Sequence, residues 1–134
     1  MKLTGGCYCG GIRYKVDGEA TMRAQCHCRE CQCITGGGPN YFMMLPLESL
    51  EFTQGEPSTF TRDDIENPVT RLFCPRCGTA LGTRVPGRPL VVVKVGTLDD
   101  PSACGGPDMA IFTCDKQPFH MVPDGIPVFE RMPG

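Results

Sequence analysis

The sequence predicts a mainly β protein made of small sheets, and three observations carry that reading. Short runs with strand character recur between breakers, helix signals are few, and 17 Gly and 13 Pro are spread along the chain without a linker or low-complexity tract. With no boundary visible, residues 1–134 are read as one domain, long enough to bury roughly two-thirds of the surface its unfolded form would expose.

The runs follow in order. Gly11 to Val16 (GIRYKV) comes first, then Thr21 to His27 (TMRAQCH), Tyr41 to Leu45 (YFMML), Leu50 to Thr53 (LEFT) and Ser58 to Thr61 (STFT). Val69 to Phe73 (VTRLF), Ala80 to Val85 (ALGTRV), Leu90 to Val95 (LVVVKV) and Ala110 to Thr113 (AIFT) complete the set. Gly10-Gly11, Asp17-Gly18, Gln54-Gly55 and Pro86-Gly87 punctuate them as turns. Arg29 to Thr35 (RECQCIT), closed by Gly36-Gly37-Gly38, reads as the one short helical turn with a glycine cap.

Ten cysteines need an explanation. The N-terminal MKLTGGCYCGG has no apolar run and no small-residue cleavage site, so it does not read as a secretory signal. The expected location is cytoplasmic, where thiolate–metal bonds rather than disulfides are the default. Leu90 to Val93 is the longest aliphatic run, far short of the roughly 20 residues that cross a bilayer. With 13 Lys+Arg against 15 Asp+Glu and no basic block, the chain lacks the footprint of a nucleic-acid binder. A small-molecule partner is expected, with no nucleic acid and no membrane; oligomeric state is not legible.

The clearest metal signal is CPRCG, Cys74 to Gly78, after the strand VTRLF. Pro75 fixes the bend, Gly78 permits a positive φ, and turn N–H groups can face the sulfurs. Such a knuckle supplies two ligands and needs a second pair. Cys7 and Cys9, flanked by Gly5-Gly6 and Gly10-Gly11, are one candidate; members of CHCRECQC, Cys26 to Cys33, are the other. Cys7, Cys9, Cys74 and Cys77 together would make a four-sulfur set, the profile of structural zinc. Cys26 and Cys28 share a face of an extended strand, and Cys31 can return to it after a turn. Cys33, two residues further in a helical turn, points about 200° away. The cluster then reads as a three-thiolate set, the layout of catalytic zinc, with a second four-cysteine structural site using Cys33 as the alternative.

GGCYCGGIRY, CHCRECQCITGG, FCPRCGTAL, VKVGTLDDP and IPVFE, in that order across nearly the whole chain, resemble the glutathione-dependent formaldehyde-activating enzyme family, whose relatives include centromere-protein-V-like proteins. The resemblance implies a β-tent, small antiparallel sheets joined through zinc. By position it puts a structural zinc on Cys7, Cys9, Cys74 and Cys77 and a catalytic zinc on Cys26, Cys28 and Cys31, two zincs per chain. It also implies a carbon–sulfur lyase that interconverts formaldehyde plus glutathione with the S-hydroxymethyl adduct. The chain departs at Cys33, where the family most often has a basic or small residue, at Ala110, where it often has His, and at Phe119, in place of a usual Trp.

Two further function classes compete with the enzyme. A non-catalytic zinc-stabilised binding module is the alternative, and the acidic balance argues against a chromatin role for it. A rubredoxin-like iron site is weakened because there is one CPxCG knuckle only. A glutathione pocket should present Arg or Lys near the cluster, but no spacing singles out Arg23, Arg29 or Arg71. His27 reads as an interior strand residue, His120 as a surface residue, and Cys104 and Cys114 as thiols without metal spacing. Met43, Met44 and Met109 read as core filling.

Overall fold

The structure is a computed structural model, and residues 1–133 are described. A three-stranded antiparallel sheet has the order β1 (Lys2–Gly6), β2 (Arg13–Asp17), β5 (Leu50–Gln54). A seven-stranded sheet runs β10 (Met109–Ile111), β3 (Met22–Cys26), β4 (Asn40–Pro46), β9 (Leu90–Lys94), β8 (Ala80–Arg84), β7 (Thr70–Phe73), β6 (Ser58–Thr61). All its pairings are antiparallel except that of edge strand β10 with β3. Each sequence run overlaps a strand, several of them running one or two residues past its end, and α1 (Arg29–Thr35) joins β3 to β4. Gly36 closes α1 at φ 86, the left-handed cap that glycine adopts without strain. The strand β1 carries no strand signal of its own. Its KLTGG has one buried residue and is held in place by pairing with β2.

Period-two patterning gives the larger sheet two different faces. Met43, Leu45, Val91 and Val93 project toward the small sheet and meet Ile12, Tyr14 and Val16 in the main core, with Leu72, Leu81 and Leu98. The opposite face carries Ala24, Cys26 and Phe42, packed with Met22, Met44, Val92 and Ile111. Met43 is fully buried in the first core, whereas Met44 and Met109 lie half-buried on the second. The tail motif IPVFE extends the sheet edge: the Ala110 N–H donates to the Pro127 carbonyl at 3.0 Å and the Phe129 N–H to the Ala110 carbonyl at 2.9 Å.

Candidate functional site

The four-sulfur group forms where two turns from different sheets meet. Cys7 and Cys9 lie in the β1–β2 turn and Cys74 and Cys77 in the β7–β8 turn, and their sulfurs all lie within 4.8 Å of one another. Two features of the backbone bring the turns this close. Gly78, at φ 80, closes the CPRCG knuckle, and a Cβ on Gly5 would come closer than 3.0 Å to the Tyr14 hydroxyl and the Thr97 carbonyl. The Cys7–Cys9 and Cys9–Cys74 sulfur separations are 3.6 and 3.8 Å. These are far longer than the roughly 2.05 Å of a disulfide. A cation about 2.3 Å from each of four tetrahedral sulfurs would set them about 3.8 Å apart, so the group fits a metal ion. Backbone N–H groups already face the sulfurs: Ile12 donates to Cys7 at 3.2 Å and Cys77 to Cys74 at 3.4 Å. The Thr79 hydroxyl and N–H hold the Cys77 thiol down at about 5.

The three-sulfur group sits on the other face of the large sheet. Cys26 ends β3, Cys28 is the N-cap of α1, and Cys31 lies one turn into the helix. The helix turns the chain back so that the three sulfurs also lie within 4.8 Å of one another. The Cys31 N–H donates to Cys28 Sγ at 3.3 Å, so the capping atom is itself one of the three sulfurs. Thiols of Cys26 and Cys31, with the N–H groups of Cys31 and Glu30, hold the Cys28 thiol far below the ordinary cysteine range, while Cys28 and Cys31 push Cys26 up. On its own the cluster therefore favours one negative charge. A bound dication would relieve the mutual repulsion that keeps the other two protonated. Cys33 is exposed and outside the group, as the helical geometry predicts; Cys114 is exposed and Cys104 buried.

Behind this centre runs a chain of buried polar side chains that the sequence did not reveal. His27 is fully buried, and His120, expected at the surface, is only 5 % exposed. The correction has a physical cause: the 117–121 loop folds back so that the imidazole caps polar groups of two other segments. The tautomers follow from the partners. Gln25 Nε2 lies 3.0 Å from the Met121 carbonyl, which requires a donor there, and 2.9 Å from His27 Nε2, which therefore accepts. His27 Nδ1–H then donates to His120 Nδ1 at 3.3 Å, an atom that also accepts from the Gln117 N–H at 3.1 Å. His120 Nε2–H ends the chain on the Gly37 carbonyl at 2.7 Å. In this arrangement His27 accepts at one nitrogen and donates at the other as a neutral ring, and burial is the main cause that pushes it down. Gln32 adds a second tie, from its Nε2 to the His27 and Asp115 carbonyls at 2.7 and 2.8 Å.

A cleft opens between α1 and strands β6 to β9. It comprises adjoining cavities of about 360 and 350 Å³ that share Ile34, Phe60 and Arg71. Lys94 lines the first and Cys33 the second. The register places Lys94 near the sulfurs. Cys26 pairs with Asn40 and Phe42 with Lys94, so these side chains project from one face, and Lys94 Nζ donates to Asn40 Oδ1 at 2.8 Å. Burial pushes the Lys94 ammonium down, and negative charge at the cysteine cluster opposes that push. Asn40 belongs to no motif and Lys94 lies in VKVGTLDDP, but only strand pairing brings the two to the centre.

Comparison with known proteins gives a consistent picture. The chain is 27% identical over 124 residues, 88% of its length and 78% of the relative's, to a Halomonas elongata protein named "Putative glutathione-dependent formaldehyde-activating enzyme". A crystal structure of a Rhodobacter sphaeroides protein shares the fold at a TM-score of 0.61 and 19% identity, covering 78% of this chain and 96% of that one. The model of the family described as "Glutathione-dependent formaldehyde-activating enzyme" matches residues 2–115, which include both cysteine groups, and the chain belongs to that family.

Proposed function

We propose that the chain is a zinc-dependent carbon–sulfur lyase that interconverts formaldehyde plus glutathione with S-hydroxymethylglutathione, or a related hemithioacetal, with Cys26, Cys28 and Cys31 as ligands of its reactive zinc. The observation that carries this reading is the asymmetry between the two sulfur groups. Four sulfurs gather where two turns meet, whereas only three gather on the other face, the face from which Lys94 projects into the cleft. Four protein ligands suit a structural ion, and three leave a place that a substrate can take. Membership of the family supports glutathione and formaldehyde as the reactants.

When bound by the three cysteines, zinc would lower the pKa of a substrate thiol and act as a Lewis acid toward oxygen. The protein's own residues prepare that place. Cys26, Cys28 and Cys31 supply the negative charge, the Cys31 N–H stabilises it at Cys28, and Lys94 offsets part of it from the sheet. Ile34 and Phe60 wall the cleft with apolar surface that limits water. In the forward direction the sulfur–carbon bond forms as the carbonyl π bond breaks. The proton lost from sulfur equals the one gained by oxygen, so no oxidant or reductant is consumed. Positioning supplies most of the acceleration, because thiol addition to an aldehyde is intrinsically facile.

The test is metal stoichiometry with glutathione titration of the loaded protein. Two zincs per chain are expected, one of them reached by the glutathione sulfur, together with accelerated adduct formation that Cys28→Ser abolishes. If no thiol ever reaches a metal and removing Cys31 unfolds the chain, the protein is a zinc-stabilised binding module instead.

A further inference from the structure

The cleft beside the three cysteines is lined by four cations, Arg29, Arg62, Arg71 and Lys94, and by one carboxylate, Glu30. Arg71 and Lys94 both project from the face that carries Cys26: Arg71 pairs with Thr83, Thr83 with Val92, and Val92 precedes Lys94 by two residues. Among the described residues Lys94 has no carboxylate partner; its one side-chain bond is to the neutral Asn40 amide. Arg71, whose side chain is 18% exposed, reaches only Glu30 at 3.7 Å, and that carboxylate lies closer to Arg62, at 3.2 Å. Arg62 in turn is held by Asp64 through two bonds of 2.9 and 2.8 Å. Glu30 is thus the sole acid lining this part of the cleft, shared between two guanidinium groups. In a chain of formal net charge -2, two half-buried cations share one apolar-walled cavity. Desolvating like charges together is unfavourable unless an anion completes the set.

We propose that Arg71 and Lys94 receive a carboxylate of the thiol substrate, which makes them the specificity-determining residues of the cleft and makes carboxylate-bearing thiols its substrate class. The assignment rests on the reading that the thiol binds at the three-cysteine centre. Lys94, tied to Asn40 beside Cys26, is the point charge on the metal side of the cleft. Arg71 presents a planar fork suited to two parallel bonds with a carboxylate. Ile34 and Phe60, which line both the cavity with Lys94 and the one with Arg29 and Cys33, pack on the substrate's aliphatic part. A neutral thiol of the same shape would reach the sulfurs but leave Arg71 with only its 3.7 Å contact to Glu30 and Lys94 without a carboxylate.

The test titrates the zinc-loaded protein calorimetrically with glutathione, with its diethyl ester, which keeps the thiol and masks both carboxylates, and with S-methylglutathione, which keeps the carboxylates and masks the thiol. Wild type is expected to bind glutathione at least tenfold more tightly than the diester. Lys94→Met and Arg71→Met should each remove most of that ratio by weakening glutathione alone. If Lys94→Met disturbs metal content, Arg71→Met decides by itself, and Arg71→Lys should restore part of the preference. Equal affinity of wild type for glutathione and diester overturns the assignment while leaving thiol binding intact, as does a preference that survives both variants. S-methylglutathione binding that depends on Arg71, with no thiol ever reaching the metal, upholds the carboxylate site and refutes the proposed reaction.

Discussion

Replacing Cys74 by serine and, separately, Cys28 by serine removes one sulfur from each centre, and the structure makes the consequences very different. Cys74 is 2% exposed in the main core, and its group ties the β1–β2 turn of the small sheet to the β7–β8 turn of the large one. Structural zinc in small domains contributes about 10–16 kcal/mol of apparent binding free energy. That matches or exceeds the whole stability of an ordinary domain, about 5–15 kcal/mol. Losing even half of it, while placing a hydroxyl where a sulfur was buried, should leave Cys74→Ser without a cooperative unfolding transition at room temperature. Cys28 instead sits half-buried at the N-cap of α1, with its Sγ accepting the Cys31 N–H. Serine is among the best residues at that position, so the cap survives, and the fold should lose no more than about 1 kcal/mol from it. Metal content per chain and urea unfolding followed by circular dichroism check both expectations. Cys28→Ser should carry one metal fewer and unfold cooperatively; Cys74→Ser should also lose metal but show no cooperative transition. A Cys74→Ser protein that melts like wild type, or a Cys28→Ser protein that is unfolded, would refute the division of labour between the two centres.

Alkylation of the native, metal-loaded protein should label Cys33 and Cys114, the two exposed thiols, and spare the seven grouped sulfurs and buried Cys104; peptide mapping reads the result. His120→Ala should lower stability by about 1–3 kcal/mol, because it strands the buried His27 Nδ1–H and frees the Gly37 carbonyl. Hydrogen exchange should show the loss first at residues 36–38. In acid, Arg13, assisted by the Thr4 hydroxyl, holds the Asp99 carboxyl down from 3.8 to about 2. A depressed folded value means that the stabilisation is complete above the unfolded value and is lost as pH falls from about 4 through about 2. Asp99→Asn should flatten that part of the acid limb, and a thermal-melt series across that range measures it.

Much of the fold was legible because strand and turn signals are local. GIRYKV alternates along β2 so that Tyr14 and Val16 are buried while Lys15 and Asp17 are exposed, and LVVVK buries Val91 and Val93 in the same way along β9. The cysteine groups were legible for a related reason: spacing of two or three residues fixes which sulfurs can converge, and Cys33 fell outside by helical angle alone. What stayed hidden depends on partners far apart in sequence. Across a sequence separation of 93, nothing signals the hydrogen bond between His27 and His120, and a histidine in a polar loop looks solvated until the loop's return path is known. Lys94 gave no sign of its place beside the cysteines for the same reason. Its pairing with Phe42, and through Asn40 with Cys26, exists only once β4 and β9 are aligned.

The two faces of the large sheet explain how one ligand chemistry can serve two ends. On the face toward the small sheet, Cys7 and Cys74 are buried among aliphatic side chains with N–H groups aimed at sulfur, an environment that stabilises charge, while Cys9 and Cys77 lie half-buried at its edge. On the other face, Cys28 and Cys31 stand half-buried at the start of a seven-residue helix beside a cleft that brings cations close to thiolates. That helix is too short to be stable on its own. It is fixed instead by Gln32 donating to the His27 and Asp115 carbonyls and by the histidine chain that ends on Gly37. The buried polar network and the main core are therefore complementary. The core holds the four-sulfur group closed, and the network holds a helix of marginal intrinsic stability in the one position where its two cysteines complete the three-sulfur group.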